Sequence, residues 1–336
     1  MNPAPAPPAP ALPASPPPGA SVGRPALSTV SGPAALGTFE FGTPALPPTR
    51  AYELLDAYYE LGGRLIDTAP TYGPTGDGAF HAEPLIATWL RTTGADDVHV
   101  ITKAGLDPAR PDRGDLRPET ILDHARRSSE RLGVPFTLVL HRDDPDIGVD
   151  EIADAADRAV RDGYAGRVGA SNWTTDRLET WTVHAHRQGL AVPEVTAPLW
   201  SLAPRVQPPP EPWLVEADPD HLALAARHAM TVTPYRALAA GFLTARHTGR
   251  HAPHHATTYD TPTGRVRRAR LLQAATALRM TPHGLALAYL RTAGRPAQVV
   301  PVIGARTARQ LRESMAGAAA PDRVTPELVA YLEGRP

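Results

Sequence analysis

Lys103 is the only lysine among 34 basic side chains, in a chain of 336 residues that otherwise meets every need for positive charge with arginine. An ammonium is a compact point charge with a tunable pKa, whereas guanidinium is planar, wide and permanently protonated, so arginine does not serve at every site. Lys103 closes the run Asp97-Val98-His99-Val100-Ile101-Thr102-Lys103, whose β-branched, apolar character reads as a buried strand. A second such run, Arg64-Leu65-Ile66-Asp67-Thr68-Ala69, carries a carboxylate at its end, and Tyr72 follows in Thr71-Tyr72-Gly73. A third, Phe136-Thr137-Leu138-Val139-Leu140-His141, ends in an imidazole. In a barrel of parallel strands those three ends share one mouth, which would gather Asp67, Lys103 and His141 with Tyr72 nearby. Taken singly, the same residues also read as a chance lysine, an ordinary buried ion pair, a loop tyrosine and a core histidine.

Bringing strand ends together requires strands and helices in alternation, and the chain supplies them. Strands are expected at 34–39, 64–68, 98–102, 136–140, 166–170, 194–197, 230–234 and 298–302, from short apolar runs bounded by Gly, Pro and polar residues. Helices are expected at 48–61, 83–92, 118–132, 150–162, 174–188, 218–228, 281–292 and 306–316. Asp115-Leu116-Arg117-Pro118-Glu119 and Thr281-Pro282 read as helix starts, because proline enters a first turn without losing a hydrogen bond. Eight strands in this rhythm favour a closed (β/α)8 TIM barrel over an open doubly wound sheet, and no phosphate loop or GxGxxG turn supports the latter. Two insertions, a Pro-rich one at 203–217 and a His-rich one at 246–266, are placed to overhang the mouth.

Composition narrows the functions. The chain exceeds the roughly 250 residues of a typical α/β barrel, so one barrel (31–336) and a tail account for it. Residues 1–30 are dense in Pro and Ala and read as a disordered tail that adds nothing to the core, without a signal peptide's basic start and apolar centre. A net charge of −1 offers no basic field for nucleic acid or anionic lipid, and no apolar run is long enough to span a membrane. A cytoplasmic protein acting on a small neutral or polar partner is expected; its oligomeric state is left open. Without cysteine there is no thiolate catalysis, disulfide or Cys-bound metal. His247, His251, His254 and His255 follow no regular ligand spacing, so no metal site is assigned.

The motifs in order are Leu36-Gly37-Thr38 with Phe41-Gly42, Ile66-Asp67-Thr68-Ala69-Pro70-Thr71-Tyr72-Gly73, Ile101-Thr102-Lys103, Leu140-His141-Arg142, Gly169-Ala170-Ser171-Asn172-Trp173 and Val300-Pro301-Val302-Ile303-Gly304-Ala305-Arg306. Together they resemble the aldo-keto reductases from Gly32 onward, and Leu199-Trp200-Ser201-Leu202-Ala203 before the Pro-rich insertion resembles a bacterial subgroup of undefined substrate. The resemblance implies a barrel that binds NADPH and reduces an aldehyde or ketone, for example a sugar- or polyol-derived carbonyl. Tyr72 would protonate the carbonyl oxygen as hydride arrives, Lys103 would lower the phenol's pKa, Asp67 would hold Lys103, and His141 would orient the oxygen.

For the cofactor, the resemblance implies Gly37, Thr38 and Asp67 at the first strand ends, Ser171 and Asn172 on the nicotinamide amide, and Trp200 against the ring. Ala197 stands where the family has an amide-binding glutamine. Tyr235, Arg236, Leu238 and Gly241 fit the loop over the pyrophosphate, and Gly304, Arg306, Gln310 and Glu313 fit the adenosine end. An arginine at a helix start suits a 2′-phosphate, which favours NADPH over NADH. Ser314 replaces a frequent asparagine. Two other readings remain open: a nicotinamide-binding regulatory subunit on the same barrel, as in the potassium-channel subunits of this family, and a metal-dependent barrel hydrolase using Asp67, His141 and the histidine loop.

Overall fold

The computed structural model describes residues 27, 31–76, 78–207, 211, 213–244 and 258–335. Nine short strands make one sheet, and every pairing is parallel. They are β1 (Ala35–Gly37), β2 (Leu65–Asp67), β3 (His99–Ala104), β4 (Phe136–Leu140), β5 (Arg167–Ser171), β6 (Pro193–Ala197), β7 (Thr231–Val232), β8 (Gln298–Val299) and β9 (Val302–Ile303). The order across the sheet is β8-β7-β6-β5-β4-β3-β2-β1-β9. The expected eighth strand is thus two pieces of one segment, interrupted at Val300-Pro301. Its first piece pairs with β7 and its second with β1. Between the pieces, Val300 N donates to Val232 O at 2.9 Å and Ala35 N to Pro301 O at 3.0 Å.

Helices α1 (Pro48–Glu60), α2 (Ala82–Thr93), α3 (Pro118–Leu132), α4 (Val149–Arg161), α5 (Thr175–Gln188) and α6 (Pro219–Arg227) follow the first six strands in turn, and α7 (Pro262–Ala277) and α8 (Pro282–Ala293) lie between β7 and β8. Beyond β9 come α9 (Ala308–Ala318) and α10 (Pro326–Glu333). Thr281 caps α8 as expected, accepting from Gly284 N, with proline in the first turn. Asp115 does not cap α3; its carboxylate takes the Arg117 guanidinium instead, at 2.8 and 2.7 Å. Two helices differ from expectation. The end of the supposed 246–266 insertion is the start of α7, whose arginines at 265, 267, 268 and 270 obscure its apolar spacing and whose buried side is small: Gly264, Leu271, Ala274 and Ala275. The C-terminal α10 was not anticipated either. The histidines at 247–255 fall outside the described residues.

The sheet buries both faces, as parallel sheets do. One face meets the helices in the main core, through Leu36, Ile66, Val100, Leu138 and Leu140. On the other, Ala35, Leu65, Ile101, Val139, Val195 and Val300 form a separate apolar cluster. Leu27 joins this second cluster at 2% exposure, so the stretch expected as a bare tail contains a residue that packs inside.

Candidate active site

The strands position the site by arithmetic. Side chains alternate between faces with a period of two, so a residue two positions past a member of the inner cluster points to the same side. Gly37 follows Ala35, Asp67 follows Leu65, Lys103 follows Ile101, His141 follows Val139 and Ala197 follows Val195. The second apolar cluster thus gives way to polar side chains at the C-terminal ends of β2, β3 and β4, and to the small Gly37 and Ala197 on β1 and β6. Register completes the alignment, since Asp67 lies opposite Ile101 and Lys103 opposite Val139.

At the centre, Lys103 Nζ donates to Asp67 Oδ1 at 2.9 Å, Asp67 Oδ2 at 3.0 Å and Thr68 O at 2.7 Å. The ammonium's three donors are therefore all directed by one short stretch of β2 and its exit, with both ionic partners buried. Burial pushes the Lys103 pKa down, but Asp67 and Tyr72 outweigh it and leave it raised. The same ammonium lies 4.6 Å from the centre of the Tyr72 ring. Tyr72 is held in the turn after β2, where its N–H bonds Ala69 O and its carbonyl accepts from Ala82 N. Gly73 follows with φ of 72°, and a Cβ there would stand 2.1 Å from Phe41 O, so this turn needs glycine. Phe39 packs edge-on against the Tyr72 ring at 5.3 Å, and His141 lies on it at 6.1 Å.

The expectation that Lys103 lowers the Tyr72 pKa holds in sign for that pair and fails for the group as a whole. Burial raises the phenol's pKa more than the ammonium lowers it, and the net direction is upward. The phenol is thus a protonated donor at neutral pH. Burial, with the charges of Lys103 and Arg142, holds the His141 pKa well below 6.5, so its imidazole is neutral. A neutral imidazole beside a protonated phenol and a fixed ammonium makes a site that can hold a polar oxygen, hand it one proton and stabilise the phenolate left behind.

The remaining predicted residues, Trp200 apart, separate into four groups. At the first strand ends, Thr38 is fully buried and its hydroxyl bonds Asp67 O at 3.0 Å, while a Cβ on Gly37 would press on Val302. These two residues brace the Asp67 end of β2. Around β5, Asn172 is the hub: its amide nitrogen donates to His141 O at 3.2 Å and Ser171 Oγ at 3.1 Å, and its oxygen accepts from Tyr235 OH at 2.5 Å. Ser171 Oγ in turn donates to Ala197 O at 2.8 Å. With alanine at 197, only its backbone carbonyl meets this network.

Trp200 reaches this network only through its backbone N–H, which donates to Tyr235 O at 3.4 Å, while its ring is turned away. Its ring lies 6.4 Å from Tyr289 of α8 and against Gly294. Tyr235, expected in the loop over the pyrophosphate, instead turns its hydroxyl to Asn172. In the loop after β7, Arg236, Ala239 and Ala240 all have φ near 50° and Gly241 has φ of 93°, an unusual run of left-handed backbone that ends in a 3-10 turn at Ala239–Gly241. Leu238 leads into that turn, and Arg236 faces Glu211 at 3.9 Å.

At the far end, Gly304 has open space where a Cβ would stand. Arg306 is held by Glu40 through Nε at 2.9 Å and Nη2 at 2.5 Å, and Gln310 accepts from the Arg306 N–H at 2.9 Å. Glu313 pairs with Arg309 at 2.9 Å, and Ser314 is buried in α9. Sequence reasoning missed Glu40, whose position in the β1 exit loop carries no motif. It also left Arg142 without a role, although the residue sits beside His141 in a stretch singled out for its resemblance.

A model of the Aldo/keto reductase family matches residues 34–333. A putative voltage-gated potassium channel subunit beta of Schizosaccharomyces pombe is 25% identical over 319 residues, covering 88% of this chain and 87% of that protein. The aldo-keto reductase ausK of Emericella nidulans is 28% identical over 205 residues, 57% of this chain and 47% of its own. A putative aryl-alcohol dehydrogenase, AAD6, of Saccharomyces cerevisiae is 35% identical over 79 residues, covering 24% of this chain and 35% of that protein.

Proposed function

The chain belongs to the aldo/keto reductase family, and from that premise we propose that it is an NADPH-dependent carbonyl reductase built on a closed (β/α)8 barrel. The observation that carries the reading is the bifurcated grip of Asp67 on Lys103, with the Tyr72 ring 4.6 Å from the ammonium. Closure is supported by the segment 298–303, which hydrogen-bonds β7 on one side and β1 on the other. The domain plan is one barrel from 31 to 336 behind the 1–30 segment, with Leu27 as its attachment.

The residues present fit a nicotinamide dinucleotide. Ser171 and Asn172 would face the nicotinamide amide, and the ring of Tyr235, rather than Trp200, would flank it, since Tyr235 is the aromatic tied to Asn172. The left-handed loop around Arg236, Leu238 and Gly241 would take the pyrophosphate. The open space at Gly304 and the Arg306 guanidinium would take the adenosine end with its 2′-phosphate. When bound, the cofactor supplies hydride. Asp67 fixes the ammonium, the ammonium stabilises the developing Tyr72 phenolate, Tyr72 gives its proton to the carbonyl oxygen, and neutral His141 donates a hydrogen bond that orients that oxygen. Among the described residues no helix is long and apolar enough to cross a membrane, which accords with a cytoplasmic enzyme acting on a small carbonyl compound.

The test is NADPH oxidation with a panel of small aldehydes and ketones beside a fluorescence titration with NADPH. Turnover abolished in Tyr72→Phe supports the reading. Binding without turnover across the panel favours the second reading, a nicotinamide-binding regulatory subunit, which the match to the S. pombe protein along most of both chains recommends. A hydrolase reading would require activity that a chelator abolishes and NADPH does not affect.

A further inference from the structure

Arg142 is buried, at 8% exposure, and its Nε and Nη1 meet no hydrogen-bond acceptor. Among the described residues, the other buried arginine, Arg205, also has Nε and Nη1 without an acceptor, but its Nη2 is neutralised by Glu211. Burying an ionised donor without a partner costs several times more than leaving a neutral one unpaired, and folded proteins retain such groups where something else completes them. The Arg142 guanidinium is also held in place. Its Cζ lies 3.4 Å from the centre of the Trp213 ring, a stacked arrangement that covers one face and leaves the N–H edge.

The position is the C-terminal exit of β4, one residue past His141, at the strand ends that also carry Asp67 and Lys103. The charge of Arg142 acts to lower the pKa of Tyr72 and of His141. The carboxylates that act on Arg142 through space are Asp112 and Glu211. Glu211 is engaged by Arg205 and Arg236.

We propose that Arg142, clamped on Trp213, is a specificity-determining residue that binds a carboxylate carried by the carbonyl substrate. This rests on the reductase reading for the word substrate; the anion site itself does not. A monoanion is the better match than a phosphate dianion, because one unneutralised cation stands here with Glu211 and Asp112 close by. The preferred substrates are then aldehyde or keto acids, with the carboxylate anchored on Arg142 and the carbonyl oxygen at Tyr72 and His141.

The first measurement needs no turnover. Benzoate, benzamide and phenyl phosphate are titrated calorimetrically into wild type and Arg142→Gln, with and without NADPH. Benzoate should bind wild type at least tenfold more tightly than benzamide and lose about 10- to 100-fold in Arg142→Gln, the loss expected for hydrogen bonds to a charged partner. Equal binding of benzoate and benzamide to wild type, an unchanged benzoate affinity in the variant, or tighter binding of phenyl phosphate each overturns the proposal. The second measurement compares 4-carboxybenzaldehyde with methyl 4-formylbenzoate. Wild type should favour the acid through KM, and Arg142→Gln should raise KM for the acid alone, with NADPH affinity unchanged and Arg142→Lys restoring part of the preference. Weakened NADPH binding in Arg142→Gln would assign the residue to the nucleotide and overturn the proposal. If neither aldehyde is reduced, the reductase reading falls, and the benzoate titration still decides the anion site.

Discussion

Arg306 and Glu40, 266 positions apart in sequence, meet in a two-point ion pair, with Nε at 2.9 Å and Nη2 at 2.5 Å from the carboxylate oxygens. The guanidinium proposed for the 2′-phosphate therefore already has an anion on its fork. The pair is half-exposed, with side chains at 63% and 37% exposure, and such pairs are worth at most about 1 kcal/mol. A hydrogen bond to a phosphate is worth about 1.5–3 kcal/mol, so the phosphate wins the exchange. Arg306→Ala should raise the NADPH dissociation constant about tenfold or more and leave that of NADH nearly unchanged. Glu40→Gln should tighten NADPH severalfold. Fluorescence titrations of both nucleotides check this, and equal effects on NADPH and NADH would move Arg306 away from the phosphate.

Lys103→Arg keeps the charge and should still lower turnover by orders of magnitude. The ammonium fits a three-acceptor pocket made by Asp67 and Thr68, with 4.6 Å to the Tyr72 ring. A planar fork cannot converge on that point. Circular dichroism establishes folding, and near-normal kcat in a folded variant would remove the special role of the lysine.

Tyr72→Phe should abolish reduction while NADPH binds with almost unchanged affinity, because the hydroxyl is lost and the ring remains. The pH profile of wild type follows from the same group. Its pKa is raised above the usual tyrosine value, so the proton donor persists through neutral and mildly alkaline pH, and kcat for reduction should fall only where the phenol ionises. A decline centred near pH 7 would show that another acid supplies the proton.

His141 ties stability to pH. Its folded pKa lies well below the 6.5 of a free histidine, so below that pH the unfolded chain binds a proton that the folded one refuses. Stability from this residue is complete above about pH 6.5 and is lost as pH falls. Urea denaturation at pH 7.5 and 5.5 should show the drop, and His141→Asn should reduce it by about 1 kcal/mol. An identical drop in the variant would assign the effect elsewhere, for instance to His221 or His124, whose pKa values are also lowered by burial.

Deleting residues 1–26 should leave the melting temperature unchanged, whereas Leu27→Ala should lower stability by about 2–5 kcal/mol, as for other buried leucines. Thermal melts of the two variants separate the claims. A shared loss would place further packing upstream of Leu27.

Where a residue's position depends on strand periodicity, the sequence revealed it. Asp67, Lys103 and His141 each stand two residues past an inner-face apolar residue, and that spacing is visible without coordinates. Arg142, Trp200 and Glu40 depend on loop paths, which periodicity does not report. Trp200 was assigned through the resemblance, and only the fold shows that its ring turns to Tyr289 while Tyr235 reaches Asn172. Helix α7 was hidden for the opposite reason: its arginine-rich face masks a small buried stripe.

The two-sided role of segment 298–303 fixes when the chain can finish its sheet. Until those residues leave the ribosome, β1 and β7 present open parallel edges separated by most of the polypeptide, with no local partner to satisfy them. Such non-local pairing carries a large entropic toll and a slow last step. A nascent chain stalled or truncated before residue 298 would expose both edges at once, so late interruption of synthesis should favour aggregation.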